Sequence, residues 1–298
     1  MQPQWDDLKV FLAVARHESL SAAGRILKID PATVGRRIAR LEEALSAPLF
    51  AKSPQGYALT NEGQRLMDHA TRAEQEVTAG FADLTGQGAR LSGQIRLGSP
   101  DGSANFLLPQ VCAQIVDSNP DLEVQIVALP RVFNLSRREA DMAIAVSAPL
   151  AGRLSVQKVT DYKLSLVASR NYLRRTAPIS CIDDLRHHRI VGYIQDMIFD
   201  KELDYMAEAG LPRVDLASNS VSVQLNWIRQ GAGVGIVHDF SIPFGRGMVK
   251  VLPDEVSLTR SFYLIRHVDD RRLDRLNRFA EALVTGMRRE VARLEGLT

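Results

Sequence analysis

The chain has 298 residues, of which 45% are hydrophobic and 24% charged, with 37 Lys and Arg against 35 Asp and Glu. That is ordinary for a soluble protein of two or three domains with real cores, and a net charge of +2 does not by itself suggest nucleic acid, so any polyanion contact must be built from a local concentration of charge. No apolar run is long enough to span a bilayer, and Asp6 and Asp7 stand where a signal peptide would carry positive charge, so the expected compartment is the cytoplasm, with no membrane partner. Cys112 and Cys181 are far apart in sequence, which suits a reducing compartment without a structural disulfide.

The first sixty residues read as three short helices and a wing. Leu8, Phe11, Leu12 and Val14-Ala15 recur at helical spacing and predict an amphipathic helix ending near His17. Ser19 offers an N-cap oxygen ahead of Ser21 to Leu27, a helix whose alanines and glycine permit close packing. After a break at Lys28-Ile29, Asp30-Pro31 restarts the chain with an N-cap acid and a proline at the first helical position, where its missing N–H costs nothing. The helix from Ala32 to about Leu45 places Val34, Ile38, Leu41 and Leu45 inward and Thr33, Arg36, Arg37 and Arg40 outward. Beyond Pro48-Leu49-Phe50, residues Lys52 to Thr60 form two extended pieces around a glycine turn.

This layout is a winged helix-turn-helix with its third helix as the reader of DNA. Ser21 on the second helix and Ala32, Thr33, Arg36, Arg37 and Arg40 on the third are the candidate contacts, joined by Lys52, Ser53 and Gln55 of the wing. Small residues at the start of the third helix let it approach base edges, while arginine reaches guanine or phosphate. The alternative is that these arginines form only a solvated face. Charge discriminates: Met1 to Arg90 holds eleven Lys/Arg and eleven Asp/Glu, yet Arg25 to Lys52 holds six basic residues against three acidic ones. The positive charge is local, as a DNA footprint requires.

From Thr60 to Leu84 there is no proline, and Leu59, Leu66, Ala70, Ala73, Val77, Phe81 and Leu84 recur by threes and fours as a coiled-coil seam. So thin a stripe is buried either against a second copy or against the chain's own N-terminal domain. Thr85 to Gly93, rich in glycine, reads as a hinge. Thereafter strands and helices alternate: strands at Gln94–Gly98, Leu122–Ala128, Ala140–Val146, Lys163–Ala168, Arg189–Tyr193, Val234–Val237 and Ser261–Ile265, helices at Phe106–Val116, Val221–Arg229 and Leu273–Leu294, and a helix start at Asn171. The rhythm predicts an open, mainly parallel sheet flanked by helices, in two subdomains.

Three segments carry a resemblance to a known family: Ser19-Leu-Ser-Ala-Ala-Gly-Arg25, Val34-Gly-Arg-Arg-Ile-Ala-Arg-Leu-Glu42, and Pro48-Leu-Phe50 through Gly56-Tyr-Ala-Leu-Thr60. In this order and spacing the chain resembles the LysR-type transcriptional regulators, with Gly35 where the family usually has serine and Ser46 where it usually has glycine. The resemblance implies a winged helix-turn-helix over 1–60, a linker and dimerisation helix over 61–85, a hinge at 86–93, and an α/β effector domain over 94–298. That domain would comprise two periplasmic-binding-protein-like subdomains, 94–160 with 267–298 and 161–266, the chain crossing between them near Thr160 and Arg266. It further implies a homodimer or homotetramer on double-stranded DNA at an interrupted inverted repeat, a small-molecule effector, and RNA polymerase as a further partner.

The residues offer no case for catalysis. Gly231-Ala-Gly-Val-Gly235 follows a helix and opens a strand, the reverse of a dinucleotide fingerprint, and reads as a tight turn. His187-His188 lacks partners at metal-ligand spacing, and no serine lies in a nucleophile elbow, so neither metal nor cofactor is expected. What remains is a cleft, because in open sheets ligands collect beyond the C-terminal ends of strands. Ser99-Pro-Asp101-Gly-Ser103, Gln195-Asp196-Met197, Ser218-Asn219-Ser220, Leu129-Pro-Arg131 and Ser147 all meet that description. Helix capping explains any one of them; their convergence on one face, where the family's effector site lies, argues for a ligand. Arg131 suits a carboxylate and Asp101 or Asp196 an ammonium group, so a small zwitterionic or anionic metabolite is expected. Two rivals are a ligand-binding module of solute-receptor type without a transcriptional role, and an enzyme on an α/β scaffold.

Overall fold

The computed structural model describes residues 4–53, 56–84, 90–128, 140–149, 152–211, 214–268, 270 and 273–298. The chain divides into two compact units, residues 1–89 and 90–298.

The first unit runs α1 (Trp5–His17), α2 (Leu20–Leu27), α3 (Pro31–Leu45), β1 (Phe50–Ser53), β2 (Gly56–Leu59) and α4 (Asn61–Leu84). Its helix starts are set locally. The Ser19 hydroxyl accepts the Ala22 N–H at 3.3 Å, and Asp30 accepts the Thr33 N–H at 2.8 Å with Pro31 in the first turn of α3. Phe11, Val14, Ala23, Val34, Ile38, Leu41, Leu49 and Phe50 form one core, with Phe11 and Phe50 ring centroids 5.4 Å apart. Each large apolar side chain so buried contributes about 1.5–3 kcal/mol. Leu45 departs from the expected inward face and is 37% exposed. The helix ends there, because Ser46 adopts φ 51° and its N–H turns back to the Glu42 and Glu43 carbonyls. A glycine would take that conformation without steric cost, which explains the usual residue of the family. Glu42 then ties reader to wing, its Oε1 accepting the N–H groups of Leu49 at 2.7 Å and Phe50 at 3.2 Å.

The seam of α4 divides in two. Its first half packs back on the N-terminal core through Leu66 and buried Ala70, and Glu74 pairs with Arg16 of α1 at 2.5 Å. Val77 and Phe81, on the second half, are 42% and 65% exposed.

Among the described residues, the second unit is built on one nine-stranded sheet. In chain order it comprises β3 (Gly93–Ser99), α5 (Asp101–Phe106), α6 (Leu108–Asp117), β4 (Leu122–Ala128), β5 (Met142–Ala145), β6 (Leu154–Ser169), α7 (Arg170–Arg175), β7 (Ile190–Gly192), α8 (Tyr205–Glu208), β8 (Leu216–Ala217), α9 (Val221–Arg229), β9 (Val234–His238), β10 (Met248–Lys250), β11 (Ser257–His267) and α10 (Asp274–Glu295). The strand order is β4-β3-β5-β11-β6-β9-β7-β8, with β10 beside β6. The sheet is mixed, not mainly parallel: β3, β4 and β5 pair parallel at one end and β7, β8 and β9 at the other, while β6 and β11 run antiparallel to each other and to their neighbours β9 and β5. The cause is the double crossing, since one strand must leave the first lobe and the other return to it. Both are longer than the apolar runs suggest, β6 starting at Leu154 rather than Lys163. Their ladder slips between Phe262 and Tyr263, opposite Thr160 and Lys158, where a bulge adds twist between the lobes.

The expected helix over Phe106–Val116 is two helices broken at Leu107, because Pro109 in the first turn of α6 has no N–H to continue α5. The larger apolar core of this unit runs from Leu91 through both lobes to α10, centred on the crossing, where Tyr162 stacks on Phe262 at 4.1 Å; Ala140, Ala143 and Ile265 form a small separate cluster. The glycine cluster is a helix-to-strand turn: Gly231 has φ 75°, and Cβ atoms on Gly233 and Gly235 would fall 2.4 Å and 2.6 Å from the Arg189 and Val191 carbonyl oxygens.

Candidate DNA interface and ligand cleft

The sequence-derived DNA contacts fall into three groups. Ser21, Ala32 and Arg36 are exposed, and Thr33 and Arg37 partly so. Arg36 lies back along the helix and donates to the Thr33 hydroxyl at 2.8 Å, while hydrogen bonds from Thr33 hold the Asp30 carboxyl below its ordinary range. Arg40 is engaged inward. Its Nε donates to Asp7 Oδ2 at 2.8 Å, its Nη2 pairs with Oδ1, and the Asp7 side chain is only 2% exposed. The hydrogen bond to Asp7 raises the guanidinium pKa further. Arg40 therefore clamps α3 to α1, and nothing local in the sequence marks Asp7 as its partner. Lys52 and Ser53 lie on β1, their side chains outside the described residues, as is Gln55.

The candidate ligand residues sit where α5 and α9 begin, at the ends of strands from opposite lobes. Ser99 and Ser103 are fully buried, their hydroxyls 2.6 Å apart and turned to the Pro100 carbonyl, so they close the start of α5 rather than face solvent. Asp101 reaches across the lobes: its Oδ2 accepts the Ser220 hydroxyl at 3.2 Å and the Ser222 N–H at 3.1 Å. Ser220 caps α9 by accepting the Val223 N–H. A carboxylate thus occupies the positive end of the α9 dipole. Ser147 makes a second crossing, its hydroxyl donating to Asp200 Oδ2. Gln195 is exposed and donates to Asp204 at 3.4 Å, Asp196 is exposed, and Asn219 is half-buried beside Ser220. Arg131 lies outside the described residues.

Four residues of this region escaped the sequence reading. Asp200 has no local signature. His238 ends β9, and the strand-end rule that selected Ser147 applies equally to it. Its ring is fully enclosed, and burial lowers the imidazole pKa to about 3, so it is neutral at pH 7. Tyr193 and Tyr205 meet edge to face at 6.0 Å. The Tyr193 phenol is pushed up by burial first, then by Tyr205 and the charge of Asp101; that of Tyr205 by burial, then Tyr162, with Asp200 adding. Asp101 and Asp200 therefore act on the same tyrosine pair. Arg260 of β11 holds the segment containing Tyr205, pairing with Glu202 at 2.9 Å and with Glu208.

The remaining motifs are structural. His187 is exposed, whereas His188 is buried and its Nδ1 lies 3.1 Å from the Tyr172 hydroxyl, so the two histidines diverge. Among the described residues no three His, Cys, Asp or Glu side chains gather as metal ligands, and no helix is long and apolar enough to cross a membrane. Cys112 is buried, with its thiol pushed up to about 12 by desolvation, while Cys181 is exposed.

A winged helix-turn-helix with its charge gathered on the reader, followed by a two-lobed α/β unit whose lobes meet through polar side chains, defines a ligand-responsive DNA-binding regulator. Residues 5–64 match the family described as bacterial regulatory helix-turn-helix protein, lysR family, and residues 88–288 match the LysR substrate binding domain. The chain belongs to the LysR family of transcriptional regulators, which are not enzymes. It is similar to the HTH-type transcriptional activator TtdR of Escherichia coli K12, 28% identical over 259 residues covering 85% of this chain and 84% of that one. It is also similar to the HTH-type transcriptional regulator PtxR of Pseudomonas aeruginosa, 25% identical over 83% of this chain and 81% of that one. Solved structures share the fold: a C206 mutant of Corynebacterium glutamicum OxyR has TM-score 0.66 at 18% identity, covering 100% of this chain and 96% of that one. Neisseria meningitidis CrgA has TM-score 0.58 at 22% identity, covering 95% and 98%.

Proposed function

We propose that this regulator binds an interrupted inverted repeat as a homodimer or homotetramer, with Ser21, Ala32, Thr33, Arg36 and Arg37 at the DNA and the wing residues Lys52, Ser53 and Gln55 beside them. A small-molecule effector enters between the start of α5 and the start of α9 and favours one arrangement of paired ligand-binding units, which the linker helices convey to the DNA-reading heads. A few kcal/mol of differential affinity suffices to move such an equilibrium. Arg131, Ser147, Gln195, Asp196 and Asn219 complete the effector's surroundings with Asp101 and Ser220, while Ser99 and Ser103 hold the start of α5 from beneath. The protein works in the cytoplasm, meets RNA polymerase at the promoter, and uses no metal, cofactor or catalytic step.

The observation that supports this reading most is the pair of side-chain bridges between the lobes, Asp101 to Ser220 and Ser147 to Asp200, since a ligand entering there must exchange bonds with groups of both lobes. The test is selection of bound fragments from random DNA by the full-length protein, repeated across salt concentrations. An enriched inverted repeat whose affinity falls as salt rises is expected, the slope reporting the phosphates neutralised. Arg36→Ala and Arg37→Ala should each abolish specific retardation in a gel shift. An absence of enrichment, with and without candidate metabolites, would remove the N-terminal unit from the reading.

A further inference from the structure

Among the described residues, the two carboxylates that join the lobes are bonded to uncharged groups. Asp101 Oδ2 accepts from the Ser220 hydroxyl and the Ser222 N–H, and Oδ1 from the Asn105 amide at 3.1 Å. Asp200 accepts from the Ser147 hydroxyl and, at 3.0 Å, from the Glu202 N–H. Among the described residues no Lys, Arg or His pairs with either, and Arg260, which enters this region, is already matched by Glu202 and Glu208.

Behind these carboxylates stand three further polar side chains, Tyr162, Tyr205 and His238, which are 1%, 3% and 4% exposed. The two phenols interact with each other, and the His238 Nδ1 is buried without a hydrogen-bond partner. His238 lies against the first turn of α5: a Cβ on Gly102, next to Asp101, would fall 2.9 Å from Cε1 and 3.3 Å from Nδ1. Tyr205 meets His238 edge to face at 6.1 Å. Uncompensated carboxylates and the faces of aromatic rings stabilise a positive charge and disfavour a negative one, and the unused His238 Nδ1 can accept from the N–H of a cation.

We propose that the ligand of this cleft presents a protonated amine to Asp101 and Asp200, with Tyr205 and His238 offering further acceptors, and that small carboxylates are turned away because Asp101 already holds the start of α9. Asp101 is thereby the specificity-determining residue: the chain supplies its own acid group at the helix terminus that would otherwise attract one from a ligand. This rests on the cleft being the effector site and narrows the expected zwitterionic or anionic metabolite to one whose bound group is cationic.

The test compares n-butylamine hydrochloride with sodium butyrate, alike in carbon chain and opposite in charge, as additives to the full-length protein at pH 7 and constant ionic strength. Thermal unfolding is followed by the fluorescence of Trp227, in the ligand-binding unit, with Trp5→Phe to silence the other tryptophan. The amine should raise the melting temperature and butyrate should not. Asp101→Asn, which keeps an oxygen to accept from Ser220, should weaken the apparent amine affinity at least tenfold. Asp200→Asn should do the same and serves if the first variant does not fold. No stabilisation by the amine, stabilisation by butyrate instead, or an amine response unchanged by these substitutions would overturn the proposal. Operator affinity measured with the same additives separates the two readings. An Asp101-dependent amine effect on melting without an effect on DNA supports the ligand class and refutes the effector role. A butyrate effect on both refutes the ligand class and keeps the effector role.

Discussion

Lowering the pH from 7 to 5 should destabilise the ligand-binding unit through the enclosed imidazole of His238, with His188, whose pKa burial also lowers, acting in the same direction. In the folded chain the His238 imidazole has a pKa of about 3 because burial removes it from water, whereas in the unfolded chain the value returns to about 6.5. Between those values the unfolded state binds a proton that the folded state does not, so stability rises with pH across that interval. The contribution is complete above about pH 6.5 and is lost progressively as the pH falls toward 3. From pH 7 to pH 5 the linkage amounts to about 2 kcal/mol. Urea unfolding followed by Trp227 fluorescence in the Trp5→Phe background, at both pH values, measures it. His238→Gln removes the titration while leaving the surrounding carboxylates, so wild type should lose about 2 kcal/mol more than the variant over this interval. Equal losses in the two proteins would refute the assignment of a buried neutral imidazole.

Gly35→Ala should stabilise the DNA-binding unit by about 0.5–1 kcal/mol in thermal melts, because the added Cβ meets only Leu20 Cδ1 at an ordinary 3.5 Å. Gly102→Ala should destabilise the ligand-binding unit by about 1–3 kcal/mol in the Trp227 denaturation assay, since its Cβ would stand 2.9 Å from the enclosed His238 ring; an unchanged midpoint would mean that the ring has room to move. With maleimide at neutral pH, mass spectrometry of the native protein should find Cys181 modified and Cys112 unmodified until denaturant is added, as burial of one thiol and exposure of the other require. Arg40→Ala should lower the melting temperature of the DNA-binding unit by stranding the buried Asp7 carboxylate, whereas Arg36→Ala, whose bond is to the neighbouring Thr33, should leave it in place.

Much of the secondary structure was legible because its causes are local. Ser19, Asp30-Pro31 and Ser220 each specify a helix start through a hydrogen bond three residues away or a fixed φ, and all lie at observed helix starts. The reader face was legible for Val34, Ile38 and Leu41, whose burial follows the helical period. Leu45 broke the period because the chain turns at the next residue. The first part of β6 was missed because its residues alternate irregularly between buried and exposed where it passes from one lobe to the other, leaving no apolar run to read.

By itself the sequence determined the order of the two units, the helix caps, the local concentration of basic charge and the family. These rest on residues within a few positions of one another or on motifs at short fixed spacing. The tertiary structure alone decided which polar groups meet. Arg40 and Asp7 are 33 residues apart, Ser147 and Asp200 53, and Asp101 and Ser220 119. At such separations, the partner of a side chain is selected by the path of the backbone through two crossing strands, and burial then determines the ionisation state. Neither quantity is a property of any short segment. For that reason Asp101, which reads in sequence as one capping acid among several, becomes in the folded chain the carboxylate that joins two lobes.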